Sequence, residues 1–111
     1  MRGVRIDPGA LRERVVLEAV SGAADGQGGW EPGWTAVAEM FALVEPGRIS
    51  NRLVGDGRGE VGAFRVTVRF RAGVEAGMRF GWGGRRLDIT GVQDPDGTRR
   101  FLRCAAQEVR P

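Results

Sequence analysis

Asp94 and Asp96 flank Pro95, and Cys104 is the only thiol, so these three side chains are the first to consider for chemistry. Two carboxylates this close suit general acid–base work or a weak cation site. They suit a turn equally well, with proline at its second position and each short carboxylate accepting from nearby backbone amides, and the turn is the preferred reading. Cys104 has no histidine to activate it, because the chain contains none. One thiol without histidine does not assemble a zinc site, and the alternation of Cys104 with Leu102 and Ala106 reads as a small buried hydrophobe. The glycine clusters Gly26-Gln27-Gly28-Gly29 and Gly55-Asp56-Gly57-Arg58-Gly59 lack the strand and helix of a dinucleotide site. A P-loop needs a lysine, and there is none. Lysine, histidine and tyrosine are all missing, which removes Schiff-base, imidazole and phenolic chemistry. The expectation is a protein that is not an enzyme and holds neither cofactor nor metal.

All 17 basic residues are arginine and face 14 acids, a formal net charge of +3. The sequence pI near 10.8 overstates this small excess, since arginine does not titrate near neutrality. Arg65, Arg69 and Arg71 share one face of an alternating segment, and Arg79 and Arg86 fall in the next two candidate strands. Such a stripe could bind nucleic acid, but Phe64 and Phe70 alternate to the opposite side, where they cannot stack bases beside it. A solvated face, or a contact with acids such as Glu18 and Asp88, is the favoured alternative.

The elements that must carry these residues are mostly strands. Asp7-Pro8-Gly9-Ala10-Leu11 reads as a single helical turn with Asp7 as N-cap and Pro8 at the first helical position. Arg12 to Val20 reads as a strand with Val15, Leu17 and Ala19 on one face. Ser21 to Gly33 reads as a long loop or a flexible hairpin tip. Trp34 to Glu45 fits either a helix, with Val37, Met40, Phe41 and Val44 on one face, or a strand that is apolar on both sides. Pro46-Gly47 is expected to end that element. Arg48 to Gly59, with three arginines, three glycines and three large apolar residues, reads as a mobile excursion.

The clearest signal follows, where Phe64, Val66, Val68 and Phe70 alternate with Arg65, Thr67, Arg69 and Arg71. After a turn at Ala72-Gly73, a strand puts Met78, Phe80 and Trp82 on one face. Gly83-Gly84 then reads as a two-residue hairpin turn into a strand with Leu87 and Ile89 inward. The Asp94-Pro95-Asp96-Gly97 turn leads to a last strand from about Arg99 to Val109. The resulting fold class is all-β, a small antiparallel β-barrel or sandwich of about six strands with long flexible loops at about 21–33 and 47–59. With 111 residues this is one domain, 1–111, whose modest core favours oligomerisation. No apolar run reaches membrane-spanning length, and the start Met1-Arg2-Gly3-Val4-Arg5 lacks the apolar region of a secretory signal.

The ordered set of segments resembles the head-tail joining family of long-tailed phages, also described as head-closure, stopper or head-tail adaptor proteins, and known too in gene transfer agents. The resemblance is carried by Gly9-Ala10-Leu11-Arg12-Glu13-Arg14-Val15-Val16-Leu17, Asp25-Gly26-Gln27-Gly28-Gly29-Trp30 and Phe41-Ala42-Leu43-Val44-Glu45-Pro46. It continues through Phe64-Arg65-Val66-Thr67-Val68-Arg69-Phe70-Arg71, Gly77-Met78-Arg79-Phe80, Gly84-Arg85-Arg86-Leu87-Asp88-Ile89 and Phe101-Leu102-Arg103-Cys104 with Glu108. It departs at Phe64, where histidine would be expected.

The resemblance implies a β-barrel subunit and makes Trp34 to Glu45 a strand. It implies a homo-oligomeric ring of six-fold or twelve-fold symmetry in the neck, or connector, of the virion. That ring sits between a portal-adaptor ring and a tail terminator or tail tube, closes the head over packaged double-stranded DNA and docks the tail. Assembly would take place in the bacterial host cytoplasm, away from any membrane. On this resemblance the segment 47–59 would reach the channel, with Arg48, Arg52 and Arg58 near phosphates and Ile49, Leu53 and Val54 in assembly contacts. Two alternatives stay open, a tail terminator or other neck component and a single-stranded nucleic-acid-binding β-barrel. Salt-dependent binding by the isolated chain separates the second.

Overall fold

The structure is a computed structural model that describes the backbone of residues 6–24, 30–54 and 57–110 and the side chains of 6–21, 33–47 and 62–108. A 3-10 turn at Pro8–Ala10 precedes six strands: β1 Glu13–Ala24, β2 Trp30–Val54, β3 Gly57–Arg69, β4 Arg79–Trp82, β5 Arg85–Gln93 and β6 Phe101–Arg110. They form a closed barrel in the order β1-β2-β3-β6-β5-β4, every ladder antiparallel, with β4 returning to pair with β1. The fold is therefore all-β, and of barrel and sandwich it is the barrel.

Local chemistry sets several boundaries. The Asp7 side chain accepts from the Gly9 amide at 2.9 Å and caps the 3-10 turn, with Pro8 at its start. Gly83 and Gly84 both have positive φ, the backbone of a two-residue hairpin turn, so Trp82 faces Arg85 directly. Inward positions of the alternating strands fill the interior. Val15 and Leu17 of β1, Val66 and Val68 of β3, Phe80, Leu87 and Ile89, and Leu102, Cys104 and Ala106 of β6 form one buried cluster, joined by Ala42 of β2. Trp34–Glu45 lies wholly within β2, which settles helix against strand. On β3 the period-two pattern holds with one departure. Thr67 lies opposite Leu43 and Arg103 and is almost fully buried, although it sits between Arg65 and Arg69.

Of the two glycine-rich segments, the first takes the hairpin alternative and the second departs from the excursion expected of it. In 21–33, Ser21 to Ala24 pair with Gly33 back to Trp30, so the hairpin extends as a two-stranded arm. Residues 25–29 lie outside the described residues. In 47–59, Ile49 to Val54 pair with Gly62 back to Gly57, so this segment is two strands rather than an excursion between them. Pro46-Gly47 does not end β2. Pro46 faces Phe64 and Ile49 faces Gly62, so one extra residue on β2 makes a bulge, where a proline that cannot donate to the ladder is tolerated. A Cβ on Gly47 would come within 3.2 Å of the Ala63 carbonyl oxygen, which explains glycine at the bend.

β2 has 25 residues, about 80 Å if straight at about 3.3 Å per residue. The molecule is only 54 Å in its longest dimension, so β2 must curve, and register shifts beside Leu17/Glu18 and at Pro46/Ile49 mark its bends. The radius of gyration of 15.6 Å exceeds the roughly 13 Å of a compact chain this long, which fits a barrel with projecting arms.

Candidate functional site

The aspartates considered first are turn residues. Asp94 accepts from the amides of Gly97 at 3.0 Å and Arg99 at 2.8 Å, which holds Arg99 in the left-handed region at φ 58. Asp96 accepts from the amide of Thr98 at 3.1 Å, from its hydroxyl at 2.5 Å and from Arg100 at 2.9 Å. The Thr98 hydroxyl and the Arg100 guanidinium lower the Asp96 carboxyl to about 2. A carboxylate so engaged is a poor general base near neutrality. Cys104 is fully buried, and burial pushes its thiol up to about 12, so no thiolate is on offer for nucleophilic chemistry. Among the described residues no group of three or more Cys, Asp or Glu side chains could hold a metal ion.

The arginines considered as a stripe are dispersed by the fold. Barrel closure brings β1 against β4, and Arg79 Nε donates to Glu18 Oε1 at 2.6 Å while its guanidinium lies 4.0 Å over the Trp34 ring. Arg86 stands 3.9 Å from the same Glu18 oxygen, so one carboxylate serves two guanidiniums. Asp88, the other acid considered, faces Arg79 across the β4–β5 ladder. Arg65 approaches Glu45 at 4.0 Å. Arg69 and Arg71 are exposed, and no hydrogen bond or ion pair ties down either side chain.

A further cluster escaped the sequence reading. Arg85 donates through Nε and Nη2 to the two carboxylate oxygens of Glu108 at 2.8 and 2.7 Å, and packs 4.7 Å from the Trp82 ring and 5.3 Å from that of Phe64. The two rings meet edge to face at 6.0 Å, and Trp82 Nε1 donates to Glu13 at 3.0 Å. Trp82 and Glu13 are 69 residues apart and Arg85 and Glu108 are 23 apart, so only knowledge of the strand order would reveal them. Phe41, also missed, is 54% exposed beside Phe70. Its alternation with Met40 and Ala42, which turn inward, was the available signal.

The residues expected in the channel and in assembly contacts stand on one arm. Arg48, Ile49, Arg52, Leu53 and Val54 belong to β2 and Arg58 to β3, with Arg52 opposite Gly59 and Leu53 opposite Arg58. The pairing brings the backbones of Arg52, Leu53 and Arg58 together near the end of the arm, while their side chains lie outside the described residues.

Among the described residues the groups first considered for chemistry are a pair of turn-capping carboxylates and a buried thiol, carried on a closed barrel whose arginines are largely matched by acids. The chain belongs to the phage head completion protein family, whose model matches residues 6–109. It is similar, at 32% identity and a TM-score of 0.74, to a chain in the virion of a native gene transfer agent particle, over 90% of this chain and 96% of that one. A solution structure of protein SF1141 from Shigella flexneri 2a shares the fold at 22% identity and a TM-score of 0.66, over 93% of this chain and 96% of that one. No curated protein matches the chain.

Proposed function

We propose that this chain is a neck subunit that joins the DNA-filled head to the tail. Copies assemble into a six-fold or twelve-fold ring that closes the head below a portal-adaptor ring and presents a surface to the tail terminator or tail tube. The subunit acts by position and does not catalyse. The family match across nearly the whole barrel carries the reading, supported by the similarity to a gene transfer agent virion chain.

In this reading the β2–β3 arm points toward the axis, where Arg48, Arg52 and Arg58 from every subunit make a ring of positive charge against packaged DNA. Ile49, Leu53 and Val54 serve the contact between subunits or with the adaptor. Particles assembled without the chain test the proposal: they should package DNA, fail to keep it and carry no tails, and complementation with the wild-type chain should restore both. Tailed particles with full DNA content in its absence would rule the role out. Glutamine at the three arginines should preserve rings and tails while DNA retention falls. Leu53→Ser with Val54→Ser should block ring docking itself.

A further inference from the structure

A groove of about 510 Å³ opens where β3, β6 and β5 run side by side, and the register of the three strands builds it. Arg65, Ala105 and Gly91 stand in one cross-strand row, and Thr67, Arg103 and Gln93 stand in the next row that shares its face. Two of the three positions in the first row carry a methyl group or nothing, so the floor is low between the long side chains of Arg65 and Arg103. These two are diagonal neighbours, within reach of one another across the groove. Phe64 and Val92 add apolar lining, and Phe64 is held edge to face by Trp82 at 6.0 Å.

Two features of this groove serve no purpose in the fold. The first is the glycine at 91. A Cβ there would meet nothing within 4 Å, and its φ is not positive, so neither crowding nor backbone strain calls for glycine. The bulge of β5 falls one residue earlier, at Thr90, whose hydroxyl donates to the Ala105 carbonyl at 3.2 Å. What glycine gives at 91 is open space, the usual mark of a close approach by another group. The second is Arg103. Its Nε is shielded from solvent without a partner, and among the described residues no hydrogen bond or ion pair engages its guanidinium. A shielded donor left unmade costs free energy that an acceptor in the groove would offset.

The charge and size of the groove say what fits. Arg65 leans toward Glu45 at 4.0 Å, so these two with Arg103 leave one positive charge to be met. A single carboxylate matches it in charge and in the planar geometry of a guanidinium. The apolar lining requires an apolar stem beside that carboxylate, which neither phosphate nor the DNA backbone carries. The volume is that of a small-molecule site. We infer that the groove binds a small organic monocarboxylate, with its carboxylate between Arg103 and Arg65 and its apolar stem over Gly91 against Phe64 and Val92. The inference stands apart from the neck reading.

Titration of the 15N-labelled full chain with 3-phenylpropanoate tests it. Amides of Gly91, Gln93, Arg103 and Ala105 should shift and saturate at millimolar acid. The neutral 3-phenylpropanamide, and acetate, should each bind at least about tenfold more weakly. Arg103→Gln should weaken binding to the same degree with no change in the urea midpoint, because no paired group is lost. Gly91→Val should fill the floor and abolish the shifts while stability is kept or raised. Absence of shifts at millimolar acid, shifts centred elsewhere, equal binding of the amide, or undiminished binding by Arg103→Gln would overturn the inference. So would tighter binding at the same amides by inorganic phosphate, a short DNA duplex or the peptide acetyl-Gly-Gly-Phe.

Discussion

The arginines of β4 and β5 and those at the end of β3 are chemically alike and do opposite things. Arg79, Arg85 and Arg86 are each set against a carboxylate of their own chain, and Arg79 and Arg85 also lie over aromatic rings. Arg69 and Arg71 stand beside exposed phenylalanines, and among the described residues no acid is paired with either. The difference separates charge spent on closing the barrel from charge left facing outward. Net charge conceals it, because an arginine of either set adds the same single charge to the +3 total.

The largest effect should come from removing the acid that joins the barrel seam. Glu18 and Arg79 are both largely buried where β1 meets β4, so Glu18→Ala strands two guanidiniums and should lower stability by about 2 kcal/mol, read by urea unfolding. A change below about 0.5 kcal/mol would place the paired arginines with ordinary surface charges. Trp34→Ala takes away only the ring beneath Arg79 and should have a smaller effect of about 0.5–1 kcal/mol in the same assay.

An acid titration sharpens the comparison at the β5–β6 turn. The Asp96 carboxyl is lowered from 3.8 to about 2 in the folded chain. Below 3.8 the unfolded chain takes up this proton first, so the stabilisation is complete above 3.8 and is lost as pH falls through about 2. Asp96→Asn should flatten that part of the stability–pH profile. An unchanged slope between these limits would show that the turn hydrogen bonds contribute nothing.

The smallest effect belongs to the outward set. Arg69→Gln with Arg71→Gln should alter stability by no more than about 0.5 kcal/mol. A large loss would mean that these arginines serve the fold after all.

What the sequence disclosed follows how local each determinant is. The Asp7 cap, the Gly83-Gly84 turn and the alternation around Val66 and Val68 depend on neighbours a few residues away, and all three were legible. The hairpin at 21–33 was one of two readings open there, but the β2–β3 arm was not foreseen, because glycine-rich segments such as 57–62 carry little side-chain pattern and declare themselves only through the strand opposite. Pro46-Gly47 misled for a related reason, since the dipeptide that breaks an isolated strand makes a bulge inside a long ladder. At the candidate sites, Cys104 and the two aspartates were read correctly from type and context. Glu18 with Arg79 spans 61 residues, and no spacing rule foretells that pairing without the order of the barrel.

The layout of β2 bears on how the barrel would resist a pull. Its first half is bonded to β1 and its second half to β3, so the two hairpin arms are ends of the same strand. Antiparallel ladder bonds run perpendicular to the strands, so drawing β2 along its own axis past β1 or β3 loads that ladder in shear. Bonds in shear yield together, whereas bonds peeled from one end yield singly. The backbone of β2 is thereby the covalent path that joins the two arms, gripped by a ladder along each of its halves.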